Sequence, residues 1–285
     1  MQFLNKIREA EAGIISQLKT NGYDTGTVDE LQRTADWFES RRGRFTGSGN
    51  KNLMNCTPST GRMEWGKHEK LIDLGTTAKK YIYEKARERE TGIVCELGDN
   101  KNFKYGRKCE PVISDMLIEM YPDFKIEPKG FIEVKGMEGI LGASPDDAMV
   151  CTFQSEKITI GVEIKSAMNW GTHYDRVECK VDQSQKDFWQ LQTEMLALSV
   201  DKILYVTSRP PKNIYDVINS DDPDEIRALI GGIDVIGVTA SKIHQNALKQ
   251  RCLIGDLIIK KYLSGIKFNE ACQIVCSEFE ASNER

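Results

Sequence analysis

Residues 144–147, Ser-Pro-Asp-Asp, and residues 157–166, Lys-Ile-Thr-Ile-Gly-Val-Glu-Ile-Lys-Ser, decide how the rest of the chain is read. In the second stretch Ile158, Ile160, Val162 and Ile164 alternate with Thr159, Gly161, Glu163 and Lys165. Successive side chains of a strand point to opposite faces, so one face is aliphatic and the other carries Glu163 and Lys165 side by side. An unpaired charge away from water is too costly, so the charged face must meet water, a metal or a ligand. Asp146 lies 17 residues before Glu163. A hairpin that brings it alongside gathers two carboxylates and one ammonium. That set suits Mg²⁺, which takes carboxylate, carbonyl and water oxygens, with a lysine to orient or help deprotonate a metal-bound water. By itself the Glu-x-Lys pair also reads as a solvent-exposed ion pair on a sheet face.

Outward from this strand, residues 126–165 read as strands separated by Gly, Pro and Asp, and ILYVTS (203–208) as a further strand ended by Pro210-Pro211. Helical spacing marks 3–19, a capped segment opening at Thr27 with Glu30, residues 76–90, residues 110–121 and Lys186 to Ser199. After a short Asp/Pro-rich turn, two more helices are expected over 241–264 and 267–281, with Gly265 between them. The order predicts an α/β core over 37–208, a helical extension over 1–36 and a mostly helical extension over 209–285 packed on the core.

Composition sets the outer limits. With 40% hydrophobic and 29% charged residues in 285, the chain is neither collagen-like nor disordered. The most apolar run, Leu253 to Leu263, is interrupted by Gly255, Asp256, Lys260 and Lys261, too short and too charged for a membrane span. The opening MQFLNKIREAEAG lacks the basic-then-apolar order of a signal peptide. A soluble, cytoplasmic protein without a membrane partner is the expectation. Eight cysteines without a framework spacing read as reduced, mostly buried thiols, and the close pair Cys272 and Cys276 falls short of a metal site. The net charge is −4, but it divides into −2 over residues 1–36, +6 over 37–110 and −8 over 111–285. The basic segment fits either a localised polyanion contact or solvated helix faces.

The Ser-Pro-Asp, 17 residues, Glu-Ile-Lys pattern resembles the PD-(D/E)XK nuclease motif. Its surroundings resemble one branch of that group, the phage lambda exonuclease and YqaJ-type viral recombinases. WFESRRGRFTGS (37–48) is similar to that family's opening signature, YGRKCEP (105–111) to its G-x-x-x-E-P helix start, GFIEV…GILGASPDD (130–147) to the strand before its aspartate, and KDFWQLQTEM (186–195) to its glutamine helix. Five motifs in order cover about 170 residues.

The resemblance implies a restriction-endonuclease-like core, a central mixed sheet flanked by helices. It implies that Asp146, Glu163 and the backbone carbonyl of Ile164 bind Mg²⁺ or Mn²⁺, with Glu110 supporting the metal shell. Lys165 would position the attacking water and Gln190 would orient that lysine or the water. Arg41 and Ser48 would grip a 5′-phosphate, with Thr46 shaping the pocket. The implied activity is a 5′→3′ exonuclease that digests one strand of duplex DNA and leaves 3′ tails, beside a single-strand annealing protein, in a family that includes a ring-shaped trimer. An endonuclease of the same fold and a catalytically idle DNA-end-binding protein are the alternatives.

Physical chemistry bears on these roles independently. Arg41, Arg42 and Arg44 with Ser48 among glycines suit a phosphate, though a mobile surface loop has the same composition. Gln190 and Gln192 cannot share a helix face, so only one serves the site. Glu110 also suits a helix N-terminus electrostatically. Three features depart from the family pattern: Asp147 where Gly is frequent, Ser166-Ala167 where Cys-Pro is frequent, and the segment 167–185 with Trp170, His173, Tyr174 and Asp175. That segment either stacks on a base end or covers the site.

Overall fold

The computed structural model describes residues 34–94, 100–153, 156–179, 181–184 and 187–283. The helices expected at 3–19 and from Thr27 lie outside the described residues up to position 33. From there α1 (Ala35–Arg41) starts at Thr34, whose hydroxyl accepts from the Trp37 N–H at 3.2 Å. It leads into β1 (Phe45–Thr46), a short 3₁₀ turn at Gly47–Gly49, and the helices α2 (Asn50–Leu53), α3 (His68–Ile72) and α4 (Thr76–Thr91).

Helix α5 (Lys101–Met120) begins nine residues before the start expected at 110. Asn100 accepts from the backbone N–H groups of Asn102 and Phe103 at 2.9 and 3.2 Å, which satisfies two donors of the first turn. Burial of Tyr105 and Cys109 then carries the helix through Pro111, at the loss of one backbone donor. The sequence Glu110-Pro111, read as a helix start, is therefore mid-helix.

Five strands form the central sheet: β2 (Lys125–Pro128), β5 (Asp147–Phe153), β6 (Glu156–Ser166), β7 (Lys202–Ser208) and β8 (Ile233–Thr239), in the order β2-β5-β6-β7-β8. Only β6 and β7 run parallel. A parallel pair needs a crossover, and residues 167–201 supply it as α6 (Trp170–Val177) and α7 (Phe188–Ala197). The segment 167–185, which departs from the family pattern, is thus partly helical: Asn169 caps α6 by accepting from the Thr172 N–H at 2.8 Å. Strand β8 and the helices α8 (Ile214–Asn219) and α9 (Pro223–Ile230) occupy the stretch read as a short turn, so the sheet continues past residue 208. The helices α10 (Lys242–Leu263) and α11 (Phe268–Asn283) follow, with Gly265 at φ +100° between them.

The strict alternation of β6 divides the interior. Ile158, Ile160, Val162 and Ile164 pack with Tyr105, Val112, Ile113 and Leu117 of α5 and with Val217, Ile226 and Ile230 of α8 and α9. The other layer, holding Phe188, Trp189, Leu191 and Met195 of α7, packs with Ile203 and Tyr205 of β7 and with α4, α10 and α11. Gly161 faces this layer: a Cβ there would stand 2.5 Å from Leu198 Cδ1, so the missing side chain lets the end of α7 sit down on the strand. A smaller sheet, β1 beside β4 (Leu141–Ala143) beside β3 (Ile132–Glu133), pairs Thr46 with Gly142. It brings the loop after α1 next to Ser144.

Candidate active site

Glu163 and Lys165 leave β6 on the face covered by α7, and the crossover lays that helix over them. Glu163 is fully buried. Its Oε1 accepts from the Lys165 ammonium and from the Gln190 side-chain amide. Gln190 also donates to Glu194 Oε1 at 2.9 Å, one helical turn on. Gln192 faces away: its Oε1 accepts from the Ser241 N–H at 2.8 Å and its amide donates to the Thr239 carbonyl at 3.3 Å, tying α7 to the start of α10.

Asp146 closes the group. Its Oδ2 accepts from the Ile164 N–H at 2.8 Å, which fixes it beside the Glu-Ile-Lys strand. Asp147, the first residue of β5, turns to the other layer, where its Oδ2 accepts from Ser114 of α5. Burial holds the Asp147 carboxyl above the usual range, and the Ser114 hydrogen bond opposes the rise. The structure thus brings together Asp146, Glu163, Lys165 and Gln190. Glu110 stands on α5 in the opposite layer, one turn before Ser114, and an added Cβ on Gly106 would lie 3.6 Å from its Oε1.

The electrostatics follow from this crowding. Burial would lower the Lys165 pKa, but Glu163, Asp146 and Asp187 outweigh it and hold the group well above its usual value. Lys165 is an ammonium donor. Burial, then the charges of Asp146 and Glu194, push the Glu163 carboxyl up against the pull of Lys165. Burial pushes Glu194 up to about 8. A carboxyl raised on folding stabilises the fold below its unfolded pKa, and that contribution is lost as pH rises through the folded value. Metal-free protein should therefore lose melting temperature as pH rises from about 5 through about 8. Thermal denaturation across that range, with Glu194→Gln flattening the slope, checks it.

Two carboxylate oxygens in this group, Glu163 Oε2 and Glu194 Oε2, are buried without a hydrogen-bond partner. Among the described residues no three His, Cys, Asp or Glu side chains form a ready cation cage. The donor set nonetheless fits a hard divalent ion: carboxylates, an adjacent backbone carbonyl at Ile164, and an orphaned buried oxygen that a cation would satisfy.

A second cluster adjoins the first. The Arg41 guanidinium stacks on Trp37 at 4.1 Å and donates to Ser144 Oγ at 3.2 Å and Ser48 Oγ at 3.4 Å. Trp37 Nε1 donates to the same Ser144 Oγ at 3.0 Å. Arg42 and Arg44 pair instead with Glu39 and Glu133. Thr46 is buried, with its hydroxyl 3.4 Å from the Tyr81 hydroxyl, and Ser48 two residues on is exposed. Ser144 thus joins the arginine cluster to Asp146, two residues on.

Supporting contacts come from the crossover. Arg176 donates to the Lys165 carbonyl at 2.9 Å and lies 3.7 Å from Asp187, which accepts from the Tyr205 hydroxyl at 2.6 Å. Sequence reasoning gave no role to Ser144, Arg176, Asp187 or Glu194. Only Glu194 carried a local signal, its i+4 spacing from Gln190.

Residues 36–197, more than half of the chain, match the YqaJ-like viral recombinase domain. The chain belongs to the YqaJ-like viral recombinase family. The matched stretch of this YqaJ-like domain runs from α1 to the end of α7 and so contains both clusters. No curated protein matches the sequence. Among solved structures, the alkaline exonuclease LHK-Exo from Laribacter hongkongensis is similar at 18% identity and a TM-score of 0.57, over 81% of this chain and 96% of that one. Its complex with dAMP gives the same identity and score, over 81% and 95%. A phage-related exonuclease from Haemophilus somnus 129PT follows at 16% identity and 0.54, over 79% and 96%. The shared fold is the central mixed sheet flanked by helices expected from the sequence. Among the described residues no helix is long and apolar enough to cross a membrane, and the seven described cysteines are unpaired.

Proposed function

We propose that the YqaJ-like domain is a divalent-metal-dependent nuclease that digests one strand of duplex DNA 5′→3′ from a 5′-phosphorylated end. The observation that carries this reading is the adjacency of the Arg41–Ser48–Ser144 cluster to Asp146, Glu163 and Lys165. A guanidinium fork with two hydroxyls suits a terminal phosphate, and Ser144 sets it beside the cleavage residues. Asp146, Glu163 and the Ile164 carbonyl hold the cation, Mg²⁺ or Mn²⁺, which when bound supplies Lewis acidity at the scissile phosphate and a more acidic water. Lys165 donates hydrogen bonds to the attacking water and to the charge developing on phosphate oxygen. Gln190 fixes Glu163, and so Lys165. Arg41 and Ser48 hold the end of the strand, and Thr46, anchored to the Tyr81 hydroxyl, shapes the loop that carries Ser48. Glu110, on α5 in the opposite layer, is given no direct part in holding the cation.

The 3′ tails left by such digestion are substrates for a single-strand annealing protein, the partner we propose, and a ring-shaped homotrimer is the assembly we propose. The test incubates Mg²⁺ with linear duplex bearing 5′-phosphate, linear duplex bearing 5′-hydroxyl, and a covalently closed circle, with EDTA as control. Loss of the phosphorylated linear DNA with the circle spared is the expected result; cutting of the circle makes the protein an endonuclease. Arg41→Ala should abolish the preference for the 5′-phosphate, and an unchanged preference would remove Arg41 from the pocket.

A further inference from the structure

Beyond the cation ligands named above, and resting on that reading, we infer that Glu194 is a further carboxylate of the divalent-cation site. Three observations carry it. Glu194 is 1% exposed, on the helix that covers Glu163 and Lys165, so its carboxyl has no solvent to satisfy it. Its Oε1 accepts from Gln190, whose same amide nitrogen donates to Glu163 Oε1, so the two glutamates are held as a pair. Its Oε2 and Glu163 Oε2 are both buried with no donor side chain or backbone N–H reaching them, and the two carboxyls face each other.

Each carboxylate of the group has already committed one oxygen. Asp146 gives Oδ2 to the Ile164 N–H, Glu163 gives Oε1 to Lys165 and Gln190, and Glu194 gives Oε1 to Gln190. Asp146 and Glu163 are therefore left with about one oxygen apiece, sparse for an ion that takes about six. A third carboxylate with an uncommitted, desolvated oxygen in contact with Glu163 makes up part of that shortfall. A buried unsatisfied acceptor is rare enough to need an explanation. A proton shared between the two facing carboxyls satisfies both oxygens in the metal-free protein, and a cation that displaces it would satisfy both at once.

The test is Mn²⁺ binding to the DNA-free full chain, by isothermal titration and by electron paramagnetic resonance of free Mn²⁺, for wild type, Glu194→Gln and Glu194→Met. The glutamine keeps an acceptor for the Gln190 amide but removes the charge. Supporting results are a Glu194→Gln affinity weakened by about 10–100-fold, the range for groups that tune a metal site, with circular dichroism unchanged, and weakening by Glu194→Met at least as large. Glu194→Gln binding Mn²⁺ as tightly as wild type overturns the inference, because Glu194 then only positions Gln190. Wild type that binds no Mn²⁺ removes the metal reading itself, which is distinguishable from loss in the variant alone.

Discussion

Lys165→Met cuts duplex DNA about 10²–10⁴-fold more slowly than wild type, the range for removal of one positioned proton-transfer or charge-stabilising group. It still binds the duplex. The side chain is a quarter exposed while its partner Glu163 is fully buried, and the ammonium donates to that carboxylate. Its three acidic neighbours keep it charged, which makes it a donor of hydrogen bonds at every working pH and excludes it as the resting base. Removing it also leaves Glu163 buried without its counter-charge, so the variant melts at a lower temperature. Single-turnover cleavage must therefore be measured well below that melting point, beside a gel-shift measurement of DNA binding. Near-normal turnover would remove Lys165 from the chemistry.

Much of this was legible because it is local. The alternation over 157–166 placed Glu163 and Lys165 on one face, and the burial of Ile158, Ile160, Val162 and Ile164 against α5 is the outcome expected of a period of two. Helix geometry also required that only one of Gln190 and Gln192 serve the site, and the two glutamines do face different partners. What escaped depends on contacts across long sequence separations. Arg176 meets the Lys165 carbonyl, and Asp187 meets Tyr205, only because a parallel β6–β7 pair forces a crossover. Ser144 meets Arg41 only through the pairing of β1 with β4. Strand β8 was hidden in IDVIGVT, an edge strand whose Asp234 and Gly237 break the apolar alternation. Helix α5 was shortened because Pro111 reads as a boundary, whereas the Asn100 cap and two buried residues beyond it decide otherwise.

The neighbouring aspartates give the sharpest test of how the site is registered on its strand. In sequence, Asp146 is the expected ligand and Asp147 beside it is a second carboxylate that could replace or assist it. In the structure one residue of offset sends them to opposite layers, since β5 begins at Asp147 and pairs it with Val162. Asp146 meets the Ile164 N–H in the layer of Glu163, while Asp147 meets Ser114. Asp146→Asn keeps an oxygen for Ile164 but drops the charge, so Mn²⁺ binding weakens and cleavage falls by about two orders of magnitude or more, as for other removed transition-state contacts. Asp147→Asn still offers an oxygen to Ser114 and removes only a carboxylate that burial already disfavours; activity stays within a few-fold and stability holds or rises slightly. The two variants are compared for cleavage rate, Mn²⁺ affinity and melting temperature in one preparation. The reverse ranking would shift the metal-binding aspartate by one position and, with it, the pairing of β5 on β6 that places the whole site.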